Sequence, residues 1–205
     1  DGTISDGTFQ GSVYNSKDIS GGTFQKPVNN YGGTISGGGR AIYNSSWKDG
    51  AEEYIGTITI KDGAVIKGGI NNTNWGGSSN TVTQFAKTTI EGGKISGSLT
   101  DDGLSASGCQ IVISGGYFTA DPTSYLVSGK DAVASNQDGY QYMVGTLALS
   151  QQTLALTKGG EAVLSVNAEP WGAVPASAVS WSSDNEAVAA VDNGTVTAAA
   201  PGTAT

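Results

Sequence analysis

Apolar residues along the first part of the chain recur in one repeated phrase: an isoleucine, a two-residue glycine turn, then a second apolar residue. It reads Ile4-Ser5-Asp6-Gly7-Thr8-Phe9 and returns as Ile19-Ser20-Gly21-Gly22-Thr23-Phe24. It recurs in altered form as Ile35-Ser36-Gly37-Gly38-Gly39-Arg40, then as Ile60-Lys61-Asp62-Gly63-Ala64-Val65, Ile90-Glu91-Gly92-Gly93-Lys94-Ile95 and Ile113-Ser114-Gly115-Gly116-Tyr117-Phe118. The copies start about 15, 16, 25, 30 and 23 residues apart, and repeats on the scale of tens of residues mark stacked architectures. Each copy reads as strand, tight turn, strand. Asp-Gly and Gly-Gly supply the positive-φ turn positions at little steric cost, and the flanking β-branched and aromatic residues suit a pleated surface. Tyr54 to Ile60 alternates with period two, as a strand does. One unit cannot bury its apolar side alone, whereas stacked units can. Residues 1–118 are therefore expected to form a right-handed β-helix, a β-solenoid, with the six isoleucines in one buried column. The third copy has Arg40 where the others are apolar, so Ile42 is expected to take the inward place.

The pattern changes after residue 118. Asp121-Pro122 reads as an N-cap acid followed by proline at the first helical position, which predicts one helical turn. A hairpin-like stretch is expected over 132–144. The segment 119–145 would then cap the last rung, whose edge would otherwise expose unpaired backbone and apolar core. From residue 146 onward short apolar runs recur at 147–149, 154–156, 163–166, 179–181, 188–191 and 196–198, with turn signals between them. That spacing predicts a β-sandwich over 146–205. The whole chain is accordingly expected to be all-β.

Composition sharpens this picture in two ways. The 32 glycines among 205 residues follow no triplet period, so they belong to turns rather than to collagen. Charge is sparse and acidic, with a net charge of -8 and a single arginine. Such a chain is a poor phosphate binder, so nucleic acid is not an expected partner. No apolar run reaches the length of a membrane span. Cys109 is alone, which rules out an internal disulfide framework and a cysteine-rich metal site.

The sandwich region also carries a family likeness. The run Val179-Ser180-Trp181-Ser182-Ser183-Asp184-Asn185-Glu186-Ala187-Val188-Ala189 is similar to the W-S-S-x-N-x-x-V-A phrase of the group 2 bacterial immunoglobulin-like domains. Asn193-Gly194-Thr195-Val196-Thr197-Ala198 and Pro201-Gly202-Thr203-Ala204-Thr205 resemble the G-x-V-T-A and G-T-A-T elements that follow it. The resemblance implies a seven-stranded sandwich on a cell-surface protein, with Trp181 in its core. The glycine-rich repeats and the segment from Tyr117 to Val127 resemble surface proteins of gut Firmicutes, in which solenoid repeats precede a short cap and then immunoglobulin-like modules. The family continues past G-T-A-T, and residue 1 falls within a repeat. Both ends are thus expected to be incomplete, either because a longer chain was cut or because neighbours complete them in head-to-tail assembly.

Candidate chemistry is thin. With no histidine, a serine triad and a histidine-bearing metal centre are excluded. Carboxylate-only glycoside hydrolysis stays open, with Asp49, Glu52, Glu53, Glu91, Asp101 and Asp102 as the usable acids. Most of these sit in turns or beside lysine, as solvated acids do, and no dense acid cluster lies near Arg40. Asp101-Asp102-Gly103 lacks the spacing of a known calcium loop and reads as a solvated turn. No catalytic residue, metal or cofactor is expected. Two polar insertions each carry a tryptophan among amides. They supply the candidate ligand-binding residues Trp47, Trp75, Tyr43, Asn72 and Asn74, since an exposed indole flanked by amides suits sugar stacking; the alternative is that both indoles fold back over the solenoid and cover apolar surface. The expected function is a secreted or bacterial cell-surface protein for adhesion or display, non-enzymatic, with a glycan or host surface protein as partner. The alternatives are a carbohydrate-active enzyme on a β-helix scaffold and a structural subunit of a surface array or fibre.

Overall fold

The computed structural model describes residues 4–5, 7–15, 19, 23–24, 28–30, 34–35, 42–49, 52–75, 86–101 and 110–205. At 23–24, 30, 34–35, 47–49, 52–54 and 73–75 only the backbone is described. Arg40, Asp102 and Cys109 lie outside the described residues. The architecture is all-β. Among the described residues the helical pieces are two 3-10 turns, Thr123–Tyr125 and Ala176–Ala178.

Alternation builds the first half. Thr57–Ile60 places Ile58 and Ile60 inside with threonines between them, and Gln110–Ile113 does the same with Ile111 and Ile113. Successive strands then pair in parallel on three main sheets, beside a short parallel pair of Thr8–Phe9 with Thr23–Phe24. The first sheet runs Val13–Asn15, Val28–Asn30, Ile42–Asp49, Ile70–Trp75 and Leu99–Asp101. The second runs Thr34–Ile35, Thr57–Ile60, Lys87–Ile90 and Gln110–Ile113. The third runs Val65–Ile66, Lys94–Ile95 and Gly116–Phe118. The chain visits these sheets in turn. The glycine turn between the second and third sheets is made by Gly63, Gly93 and Gly116, at φ +86°, +85° and +115°. These are the conformations that disfavour a side chain.

Like residues stack on like through the core. Ile60, Ile90 and Ile113 face one another in register, as do Val13, Val28, Ile42, Ile70 and Leu99 on the first sheet. Ile66, Ile95 and Phe118 form a third buried column. Each such side chain taken out of water contributes about 1.5–3 kcal/mol.

The single column of six isoleucines is corrected to several. Ile4 bridges Ile19, but Ile35 pairs with Ile58, two positions before Ile60. A shift of two keeps the same face of the strand, so the inward pattern tolerates it. Ile42 is buried, but on the first sheet between Val28 and Ile70.

The segment after 118 closes over the last strands. Leu126 bridges Ile113, the Val127 amide donates to the Ile113 carbonyl at 2.9 Å, and the Tyr125 hydroxyl donates to the Leu99 carbonyl at 3.2 Å. The helical turn starts one residue later than expected, with Pro122 at the N-cap; Asp121 Oδ1 instead accepts from the Thr123 amide at 2.9 Å and from its hydroxyl. These bonds hold the Asp121 carboxyl below its usual range. Asp131–Ala134 and Tyr142–Leu149 form the hairpin.

Antiparallel ladders make up the remainder, the first continuing the third sheet through Tyr142–Leu149. One joins Tyr142–Leu149, Val166–Glu169 and Gly172–Ala173; the other joins Glu161–Val163, Thr195–Ala198 and Ala189–Asp192. Residues 154–156 and 179–181 join neither ladder, contrary to the expectation of strands there. Trp181 is half-buried rather than central; a Cβ added at Gly194 would lie 3.4 Å from its Cε2.

Candidate functional site

The candidate residues fall on two neighbouring strands of the first sheet, Ile42–Asp49 and Ile70–Trp75. Their parallel register is continuous from Ile42 opposite Ile70 to Trp47 opposite Trp75. Alternation divides the positions between two faces.

The inner face holds apolar residues first and amides next. In register lie Asn15, Asn30, Asn44, Asn72 and, at the last strand, Asp101. Asn44 and Asn72 are fully buried. The Asn44 amide nitrogen donates to Asn72 Oδ1 and to the carbonyls of Gly56 and Lys87, each at 3.1 Å. The buried Thr88 hydroxyl donates to the same Asn72 oxygen at 2.7 Å, and Asn72 Nδ2 donates to the Gln110 carbonyl at 3.1 Å. Buried amides are stable only when partnered in this way. This cluster ties the first sheet to the second at their shared corner. Asn72 therefore serves the interior and is not available to an outside ligand, which corrects its place among the sugar-binding candidates. Asn74 sits opposite Ser46 in the register; its side chain lies outside the described residues.

The outer face carries aromatics and amides. Tyr14, Asn29, Tyr43, Asn71 and Thr100 lie in register across its five strands. Tyr14 is 71% exposed and Tyr43 41%. Trp47 and Trp75 occupy positions of the same parity, paired directly with each other. Neighbouring strands lie roughly 4.8 Å apart, so the two positions are adjacent. A hairpin back to Glu52–Tyr54 places Tyr54 on the other side of Trp47. The aromatic positions thus run Tyr54, Trp47, Trp75 across three strands. The side chains of these three lie outside the described residues. Tyr54 was missed in the sequence, although Asp49-Gly50 is a hairpin signal that folds Tyr54 back toward Trp47.

A second aromatic group was also missed. Tyr117 stands 5.5 Å from Trp171 in an edge-on arrangement and 6.4 Å from Tyr140. The Tyr117 hydroxyl donates to the Trp171 carbonyl at 3.1 Å, and Lys94 Nζ lies 5.9 Å above the Tyr140 ring. Burial, and next the charge of Asp62, push the Tyr117 hydroxyl above its usual pKa. The signal for this group is spread over positions 117, 140 and 171, so no local motif announces it.

Of the candidate acids, Asp49 stands opposite Glu52 and Glu53 opposite Lys48 in the hairpin register; their side chains, and Asp102, lie outside the described residues. Among the described residues no group of three His, Cys, Asp or Glu side chains could hold a metal ion. Asp62 bonds the Gly63 amide of its own turn at 2.9 Å, and Glu91 is exposed.

Residues 143–205 match the family model of the bacterial Ig-like domain, group 2. The match begins inside strand Tyr142–Leu149, just before residue 146, where sequence patterning set the boundary. Domains of this group occur in surface proteins, which agrees with a cell-surface role. Neither the curated proteins nor the solved structures give a match to the chain. The chain is therefore an all-β protein whose last third is similar to the group 2 bacterial Ig-like domains.

Proposed function

We propose that this is a secreted or bacterial cell-surface protein that binds glycans without catalysis, through the outer face of a right-handed β-solenoid. In this reading residues 1–118 are the solenoid, 119–145 its cap, and 146–205 the immunoglobulin-like module that carries it outward. Three parallel sheets visited in turn, with like residues stacked in register, support the solenoid. The observation that carries the glycan reading is the register of Trp47 with Trp75, on the same face as exposed Tyr43. Adjacent aromatic positions make a platform on which the apolar faces of sugar rings stack, and neighbouring Asn29 offers an amide for hydroxyl groups. The absence of histidine, the commonest acid–base group, supports a binding role over hydrolysis.

A glycan array probed with the purified chain tests this, alongside Trp47→Ala, Trp75→Ala and Tyr14→Ala. We expect binding to a restricted set of oligosaccharides and at least a tenfold loss for either tryptophan variant. Binding that survives both tryptophan changes, or no glycan binding together with capture of a host protein, would contradict the glycan reading.

A further inference from the structure

We infer that Trp171 locks the Ig-like part to the parallel stack, so that the two form one rigid unit with a fixed angle rather than two modules on a hinge. This inference is independent of what the outer face binds. The first support is backbone. Strand Tyr142–Leu149 pairs antiparallel with Gly116–Phe118 through its first residues and with Val166–Glu169 through its last. One seven-stranded sheet thus runs from Val65–Ile66 in the stack to Gly172–Ala173 in the Ig-like part. The two ladders adjoin on this one strand: the first ends at Val144 and the second begins at Thr146, with Gly145 between them paired to Asp131, so the backbone leaves a single residue at which a hinge could act.

The second support is the seat of the indole. Trp171 follows strand Val166–Glu169, and its amide donates to the Ala168 carbonyl at 2.7 Å, which turns the side chain back toward the stack. There it meets two successive glycines of the repeated phrase. A Cβ added at Gly92 would lie 2.8 Å from Trp171 Cη2; one at Gly115 would lie 2.8 Å from Cζ2 and 3.1 Å from Nε1. The adjacent strands' backbone also approaches closely, with Asp62 N at 2.9 Å from the added Cβ at Gly92 and Glu91 O at 2.5 Å from that at Gly115. The positive-φ residue of each turn is the next one, Gly93 or Gly116. The first place of the pair accepts Asp in two other copies, Asp6 and Asp62. Bare glycine at 92 and 115 therefore gives the indole a floor that a side chain would fill.

The third support is the shared core. Met143 and Ala168 are fully buried and Val174 nearly so, and Tyr117, Val133, Val166, Trp171 and Val179 pack against them. The tightest apolar cluster of the Ig-like part thus faces the stack, while Leu147, Leu149 and Val163 stay exposed. The Tyr117 hydroxyl closes the seat by its bond to the Trp171 carbonyl. A pull on the solenoid would pass into the Ig-like part through ladder hydrogen bonds and this seat.

Residual dipolar couplings on the full chain test the inference. Amides of 86–101 and 110–118 and those of 150–205 are expected to fit one alignment tensor in the unmodified protein. Two tensors would overturn the rigid joint. In Trp171→Ala the two sets are expected to separate into two tensors, with each part keeping its own amide dispersion; a single tensor there would remove Trp171 from the role. If Trp171→Ala does not fold, Trp171→Phe decides. A measurably lower order in the 150–205 set would support the inference, and unchanged order would contradict it.

Discussion

Asn72 illustrates how far a single residue's role depends on its neighbours in space. In the sequence it stands in a run of asparagines beside a tryptophan and looks like a surface amide. In the fold it is buried, accepting from Asn44 and Thr88 and donating to Gln110. The pattern Val13-x-Asn15, Val28-x-Asn30, Ile42-x-Asn44 and Ile70-x-Asn72 was present all along. It could have been read as inward alternation, an amide two places after each core residue, but the polarity of asparagine argued for the outside. Asn72→Ala removes one member of a satisfied buried cluster and strands the others. It is expected to destabilise the protein by about 1–3 kcal/mol, measured by urea denaturation. Ile60→Ala, in the column with Ile90 and Ile113, should cost more, about 2–5 kcal/mol, because it leaves a cavity between stacked strands. A smaller loss for Ile60→Ala than for Asn72→Ala would contradict this ordering.

Strands and turns were more legible than single residues. Isoleucine spacing and Gly-Gly turns gave the strands at Thr57–Ile60, Lys87–Ile90 and Gln110–Ile113, because period-two alternation and positive-φ glycines are local properties. Pairing is not local, which is why Ile35 was assigned to the column of Ile60 and lies opposite Ile58. The runs 154–156 and 179–181 failed as strands for the same reason: alternation marks a segment as extended but does not provide a partner ladder. At the junction, strand Gly116–Phe118 offers a test by pH. Tyr117 holds its proton more tightly in the folded state than in the unfolded chain, since burial and the Asp62 carboxylate both oppose ionisation. Lys94 beside it in register and Tyr140 across from it are the other titratable groups facing this position. A raised folded-state value means the stabilisation is complete below pH 10 and fades as pH rises through that value. Tyr117→Phe should therefore lose less stability than the unmodified protein between pH 9 and pH 11. Identical thermal melting profiles across that range would show that Tyr117 does not control the joint.

Across the full chain, the stack of parallel strands and the region similar to group 2 Ig-like domains share one seven-stranded sheet. The all-β class and the Ig-like region were legible because each rests on short-range patterns, Ile-x-Gly-Gly and Trp-Ser-Ser-x-Asn. The juxtaposition of Trp47 with Trp75 and the seat of Trp171 were not legible, since both depend on which strands lie side by side. Parallel, in-register stacking places positions 47 and 75 side by side on one face of the first sheet. Cysteine cross-linking tests it most directly, in a chain carrying Cys109→Ser. The pair Trp47→Cys with Trp75→Cys occupies adjacent register positions. At a strand separation of roughly 4.8 Å it falls within the reach of a disulfide. The pair Trp47→Cys with Asn74→Cys lies on opposite faces by alternation. Rapid intramolecular closure of the first pair is expected under mild oxidation, with a free dithiol for the second, read by intact mass. Equal closure of both pairs, or closure of the second alone, would contradict that placement.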